Sequence, residues 1–171
     1  AQPASGPVLT LPLTLAATAR NNGDAPVWAA VSITGIPSAP QPAARNGMRI
    51  ARRFFALDGS ALNLDTLRSG TDFIIQIEAR AETGQAHDAM LQQGLPAGWE
   101  LVTRLPAGDV PGMGWVGTLS EAVAAPALDD RLAAAISLSQ VEPLARLAWR
   151  VRATTPGRYE LPGADVSDMY R

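Results

Sequence analysis

Apolar and polar positions alternate with a period of two along several short runs of this chain, and no segment sustains a helical repeat. In Asp72 to Arg80, the residues Phe73, Ile75, Ile77 and Ala79 fall on one face, while Asp72, Gln76, Glu78 and Arg80 fall on the other. Only Ile74 breaks the alternation. In Ala145 to Ala153, the residues Leu147, Trp149, Val151 and Ala153 oppose Arg146, Arg150 and Arg152. That pattern predicts a strand with one face buried and one face wet.

Near the start, Leu11, Leu13, Leu15, Ala17 and Ala19 alternate up to a turn at Asn21 to Asp24, and Val27, Ala29, Val31 and Ile33 resume the pattern. The two runs predict a hairpin. Pro37, Pro40 and Pro42 then resist regular structure, so the chain is expected to divide into a β segment over residues 1–43 and a larger domain over 44–171. Met48 to Leu57 reads as a strand ending at Asp58-Gly59, and Leu62 to Leu67 as one short helical turn. Asp129 to Leu138 is ambiguous: Ala133, Ala134 and Ala135 favour a helix, while Leu132, Ala134, Ile136 and Leu138 alternate as in a strand. Many short strands between Gly and Pro turns indicate an all-β fold, an antiparallel β-sandwich with an additional N-terminal β segment.

Composition narrows the function classes. Fourteen basic residues, all arginine, against sixteen acidic ones give a net charge of −2, too balanced for a nucleic-acid binder. No apolar run approaches the ~20 residues of a membrane-spanning helix. Ala1 to Pro7 has neither the basic end nor the apolar block of a signal peptide. The absence of cysteine removes disulfides, thiolate ligands and a cysteine nucleophile.

The candidates for chemistry are few. His87 is the single histidine and is expected on the surface or in a turn, since one histidine without cysteine does not assemble a zinc site in the usual way. Gly112 to Trp115 lacks the helix and the Lys-Ser/Thr pair of a phosphate loop. Asp129 and Asp130, with Glu121 nearby, invite comparison with paired catalytic carboxyls, which stand about 5 to 10 Å apart on converging elements. Neighbours on a strand point to opposite faces, so an Asp-Asp-Arg run fits a turn or a structural ion pair better. Arg146, Arg150 and Arg152 form either a basic stripe or a face paired to acidic neighbours on the next strand. Trp28, Trp99, Trp115 and Trp149 offer stacking platforms to an independent adhesive or carbohydrate-binding sandwich.

Four ordered motifs supply a more specific reading. They are Leu95-Pro96-Ala97-Gly98 with Trp99 and Glu100, Asp129-Asp130-Arg131, Arg152-Ala153 to Pro156-Gly157, and Met169-Tyr170. Together they resemble the C-terminal macroglobulin domain of bacterial alpha-2-macroglobulins, over roughly Gly47 to Arg171. Leu128 stands where that family has the first arginine of Arg-Asp-Asp-Arg, and Thr154 replaces a valine. The resemblance favours a strand over 129–138. The first 37 residues more loosely resemble the returning half of a small β-domain that brackets the helical thioester domain in those proteins.

The resemblance implies a non-catalytic domain of a periplasmic protease inhibitor, tethered to a membrane only through a lipid elsewhere in its parent. Its parent would trap proteases after bait-region cleavage, and its own partners would be neighbouring domains of the same chain. It implies no cofactor. Without cysteine this chain cannot itself carry a Cys-Gln thioester. Met169 and Tyr170 match a loop that shields the thioester from water; alternatively they fill the end of the sandwich.

Overall fold

The structure is a computed structural model and describes residues 20–28, 30, 32, 34 and 42–170. The chain divides into two compact units, Ala1–Gln41 and Pro42–Arg171. In the first unit the expected turn at Asn21 is present: Asn21 Oδ1 accepts from the Gly23 amide at 3.0 Å and Asn21 Nδ2 donates to Ala25 O at 2.8 Å. The run Leu11 to Ala19 lies outside the described residues, as do Ala29, Val31 and Ile33. The described remainder of the second run, Val27, Trp28, Ala30, Ser32 and Thr34, is exposed and in no assigned strand.

The second unit is built from seven strands: β1 (Met48–Ala56), β2 (Asp72–Ala81), β3 (His87–Gly94), β4 (Trp99–Arg104), β5 (Arg131–Leu138), β6 (Leu144–Ala153) and β7 (Ala164–Asp168). All pairings are antiparallel, in one sheet ordered β1-β2-β6-β4 and another ordered β5-β3-β7. The sandwich expected from the alternation is therefore present. Two one-turn 3-10 helices, Leu64–Thr66 and Gly114–Val116, interrupt the connections, the first where a helical turn was expected.

Between the sheets, Phe73, Ile75, Ile77 and Ala79 of β2 and Leu147, Trp149, Val151 and Ala153 of β6 pack into one core with Ala89 and Leu91 of β3 and Leu132, Ala134, Ile136 and Leu138 of β5. Segment 129–138 is a strand because its two-residue period buries that apolar row. A helix of the same sequence would scatter the row around its circumference.

The outer face of the first sheet departs from the simple expectation of a wet face. Ile74 and Ala148 lie there, fully buried with Leu105, Val116 and Leu119 from the connection between β4 and β5, and with Phe55, Val110, Met113 and Trp115 packed around them. Gln76 is covered too, and its Nε2 donates to Val116 O at 2.6 Å. Thus Ile74, the residue that broke the alternation, marks where a long connection folds back over the sheet.

Candidate functional site

Three of the four sequence motifs meet at one end of the sandwich. The Leu95 amide, entering the Leu95–Gly98 turn, donates to Asp130 O at 2.8 Å, and the Trp99 amide closes the turn onto Pro96 O at 2.9 Å. Gly98 O then accepts from the amides of Thr154, at 2.8 Å, and Thr155, at 3.3 Å. The Tyr159 ring lies against Gly98 and Gly157, where a Cβ would collide with it. Pro96 and Gly98 are buried, whereas Ala97, Pro156 and Gly157 are exposed. This cluster joins the β3–β4 turn, the start of β5 and the end of β6.

The charged residues of these motifs and of β6 are ion-paired. Asp130 is bound by Arg131, whose Nε and Nη2 lie 2.9 and 2.6 Å from its carboxyl oxygens and hold that carboxyl below its ordinary range. Asp129 is exposed on the loop before β5. Arg152 Nε donates to Asp72 Oδ1 at 2.5 Å, and Arg150 donates to Asp72 Oδ2 through Nε at 2.8 Å. These two arginines, Arg152 first, hold the Asp72 carboxyl down to about 2. Arg146 Nε meets Glu78 at 2.7 Å. The arginine row of β6 is thus paired to acidic residues of β2 rather than presented as a free basic stripe.

Met169 and Tyr170 stand at the opposite end. They follow β7, whose last pair is Asp168 with Ala89, close to the start of β3. Because β3 has eight residues, its two ends lie about 24 Å apart. The Met169 amide donates to Asp88 O at 2.9 Å and the Tyr170 amide donates to Asp168 Oδ1 at 2.8 Å. Their side chains point into solvent, Met169 43% and Tyr170 80% exposed. The β5–β6 turn, Ser139 to Pro143, lies at the same end because Leu138 pairs with His87, and it carries Val141, 90% exposed.

Residues 47–171 match the family described as the bacterial alpha-2-macroglobulin MG10 domain. The chain belongs to this family. It is 33% identical over 161 residues to the alpha-2-macroglobulin of Escherichia coli (strain K12), an alignment covering 88% of this chain and 10% of that protein. Its fold matches the crystal structure of native E. coli alpha-2-macroglobulin from domain MG7 to the C-terminus, with a TM-score of 0.68 and 31% identity over 78% of this chain and 22% of that one. It also matches Salmonella alpha-2-macroglobulin reacted with methylamine, with a TM-score of 0.69 and 29% identity over 80% and 9%. Trypsin-activated E. coli alpha-2-macroglobulin gives 0.62 and 28% over 78% and 10%. The chain therefore spans about a tenth of the length of the curated relatives it matches.

Within this MG10 domain, one sequence expectation is corrected. His87 is not a surface or turn residue; it opens β3, is only 7% exposed, and binds Asp168 through Nδ1 at 2.8 Å and Thr83 through Nε2 at 3.1 Å. Both ring nitrogens are engaged by protein groups. A signal was available, since His87, Ala89, Leu91 and Gln93 alternate with Asp88, Met90 and Gln92, and that period points His87 inward. Gln93 was also missed: fully buried, its Nε2 donates to Gly94 O and Pro162 O, while its Oε1 accepts from Arg52. Of the four tryptophans, Trp149 lies in the core, and Trp99 and Trp115 are half-buried in ring contacts with Phe73 and Phe55 at 4.8 and 5.1 Å. Only Trp28 of the four is fully open to solvent.

Proposed function

We propose that this MG10 domain is a non-catalytic part of a periplasmic alpha-2-macroglobulin that inhibits proteases, and that it docks by its Met169–Tyr170 end on a neighbouring thioester-type domain of its own parent chain. The observation that carries this reading is a contrast. The backbone of Met169 and Tyr170 is fixed to β3 and to Asp168, yet both side chains project outward. Exposed apolar groups on a fixed backbone lose little freedom when they meet a partner, so they suit recognition.

The chemistry of the relatives fits. One relative's structure is of a trypsin-activated protein, and another's is of a protein reacted with methylamine, a small amine nucleophile. An acyl-thiol is opened by amines and by water, so excluding water with methionine and tyrosine would preserve it until a protease triggers the parent. Protease capture belongs to the whole parent. This domain contributes docking and restraint of the uncleaved state, and any membrane contact comes through a lipid elsewhere in the parent.

The test is binding of this chain to the separately produced neighbouring domain, measured by calorimetry for wild type, Met169→Ala and Tyr170→Ala. Specific binding weakened about tenfold or more by either change, the scale of a small interface hot spot, supports the docking reading. Equal binding by all three proteins, or none by a folded wild type, rejects it.

A further inference from the structure

The buried pair His87–Asp168 has no part in the core and none in the motif cluster, yet it touches the docking segment directly. His87 Nδ1 lies 2.8 Å from Asp168 Oδ2, and the other carboxyl oxygen, Oδ1, accepts the Tyr170 amide at 2.8 Å. A carboxylate offers only acceptors, so Nδ1 carries the proton and donates. Nε2 lies 3.1 Å from the Thr83 hydroxyl, and Thr83 Oγ1 in turn accepts the Gln85 amide at 3.4 Å. The result is a continuous relay from the β2–β3 turn through His87 and Asp168 to Tyr170.

Burying this pair is costly. His87 and Asp168 side chains are 7% and 10% exposed, and desolvating a carboxylate is unfavourable unless its lone pairs are filled. An aliphatic residue at position 87 would continue the inward row of Ala89 and Leu91 without that cost. Asp88, next to His87 in sequence, points to the opposite face of β3 and accepts from Ser137 Oγ at 2.8 Å. What the pair provides is anchorage. Met169 is tied by a strand-like bond to Asp88, whereas the Tyr170 amide is bound by the Asp168 carboxylate, whose other oxygen meets His87.

We propose that His87 is a positioning residue for the docking segment, orienting Asp168 so that its carboxylate holds the backbone that presents Met169 and Tyr170. The latch stands on its own geometry; its consequence for docking rests on the proposed function. The donor at His87 Nδ1 is one of the groups that align the Asp168 carboxylate. Asparagine would keep such a donor, since its Nδ2 falls where Nδ1 stands, while alanine and leucine would not.

The experiment uses the full 171-residue chain and reads amide hydrogen exchange residue by residue, with binding to the neighbouring domain as a second readout. Replacing His87 by alanine is expected to speed exchange at the Tyr170 amide about tenfold or more, as local opening does, while the amides of Ala89 and Leu91 stay protected. His87→Asn is expected to restore most of the Tyr170 protection. His87→Leu, which refills the volume, carries the same test if the alanine variant does not fold. Unchanged Tyr170 exchange in the alanine or leucine variant overturns the proposal. So does loss of protection along all of β3, or failure of asparagine to rescue.

The binding readout separates the two ideas. If His87→Ala frees the Tyr170 amide but Met169→Ala and Tyr170→Ala leave binding unchanged, the latch is supported and the docking reading fails. If those two changes weaken binding while His87→Ala alters neither exchange nor affinity, docking is supported and the latch is overturned.

Discussion

The ring of Tyr159 lies directly over Gly98, and a methyl group added at Gly98 would meet both that ring and the backbone oxygen of Thr155, the latter at 2.8 Å. Gly98 O is also the acceptor for Thr154 and Thr155, so the β3–β4 turn and the end of β6 are locked together at van der Waals contact. Gly98→Ala is expected to destabilise the domain by about 1–3 kcal/mol, read as a lower urea midpoint. A ring can swing away but a backbone carbonyl cannot. Adding Tyr159→Ala should therefore not return the midpoint to the wild-type value.

Asp72 predicts an acid limb. Its folded-state value of about 2 lies below the ~3.9 of an unfolded aspartate, so between those values the unfolded chain binds more protons. The contribution is fully present above ~3.9 and is lost as pH falls through about 2. Urea midpoints measured from pH 6 to pH 2 should fall less steeply for Asp72→Asn than for wild type. Arg150 and Arg152 are half-exposed, so added salt should shrink the difference.

Ile74 predicts a coupled loss of stability and of loop order. Truncating a fully buried isoleucine to alanine costs about 2–5 kcal/mol. Because Ile74 packs with Leu105, Val116 and Leu119, the connection over the first sheet should loosen with it. Limited proteolysis of Ile74→Ala should cut between residues 105 and 119 before it cuts the strands. Uniform digestion would argue against that connection as a separable cover.

Val141 tests the extent of the docking end. It is exposed on the β5–β6 turn, so Val141→Asp should change stability by less than about 0.5 kcal/mol. If the docking face reaches this turn, the same change weakens binding to the neighbouring domain. Unaltered affinity would confine the face to Met169 and Tyr170.

Strand identity was legible wherever a row of large side chains kept one period, as in Phe73–Ile75–Ile77 and Leu147–Trp149–Val151. It was less legible in 129–138, where the alanines favour a helix against the two-residue alternation and the resemblance mainly favoured the strand. The motif residues were legible as a set but not as two groups. Leu95–Gly98, Asp129–Arg131 and Arg152–Gly157 form a structural joint at one end of β3, and Met169–Tyr170 an exposed segment at the other. His87 was less legible, because the inward row it opens continues only through Ala89, Leu91 and Gln93, too few large apolar side chains to mark β3 as a strand.

The sequence by itself determined the all-β class, the inward rows of β2, β5 and β6 and the family, because periodicity and ordered motifs are local properties that survive without neighbours. Only the tertiary structure decided which of the outward residues are covered, as with Ile74 and Gln76 beneath the β4–β5 connection. It alone brought His87 to Asp168, 81 residues away along the chain, and aligned that pair with the amide of Tyr170. Such contacts depend on register between strands distant in sequence, and register is set by how the whole core packs rather than by any one segment.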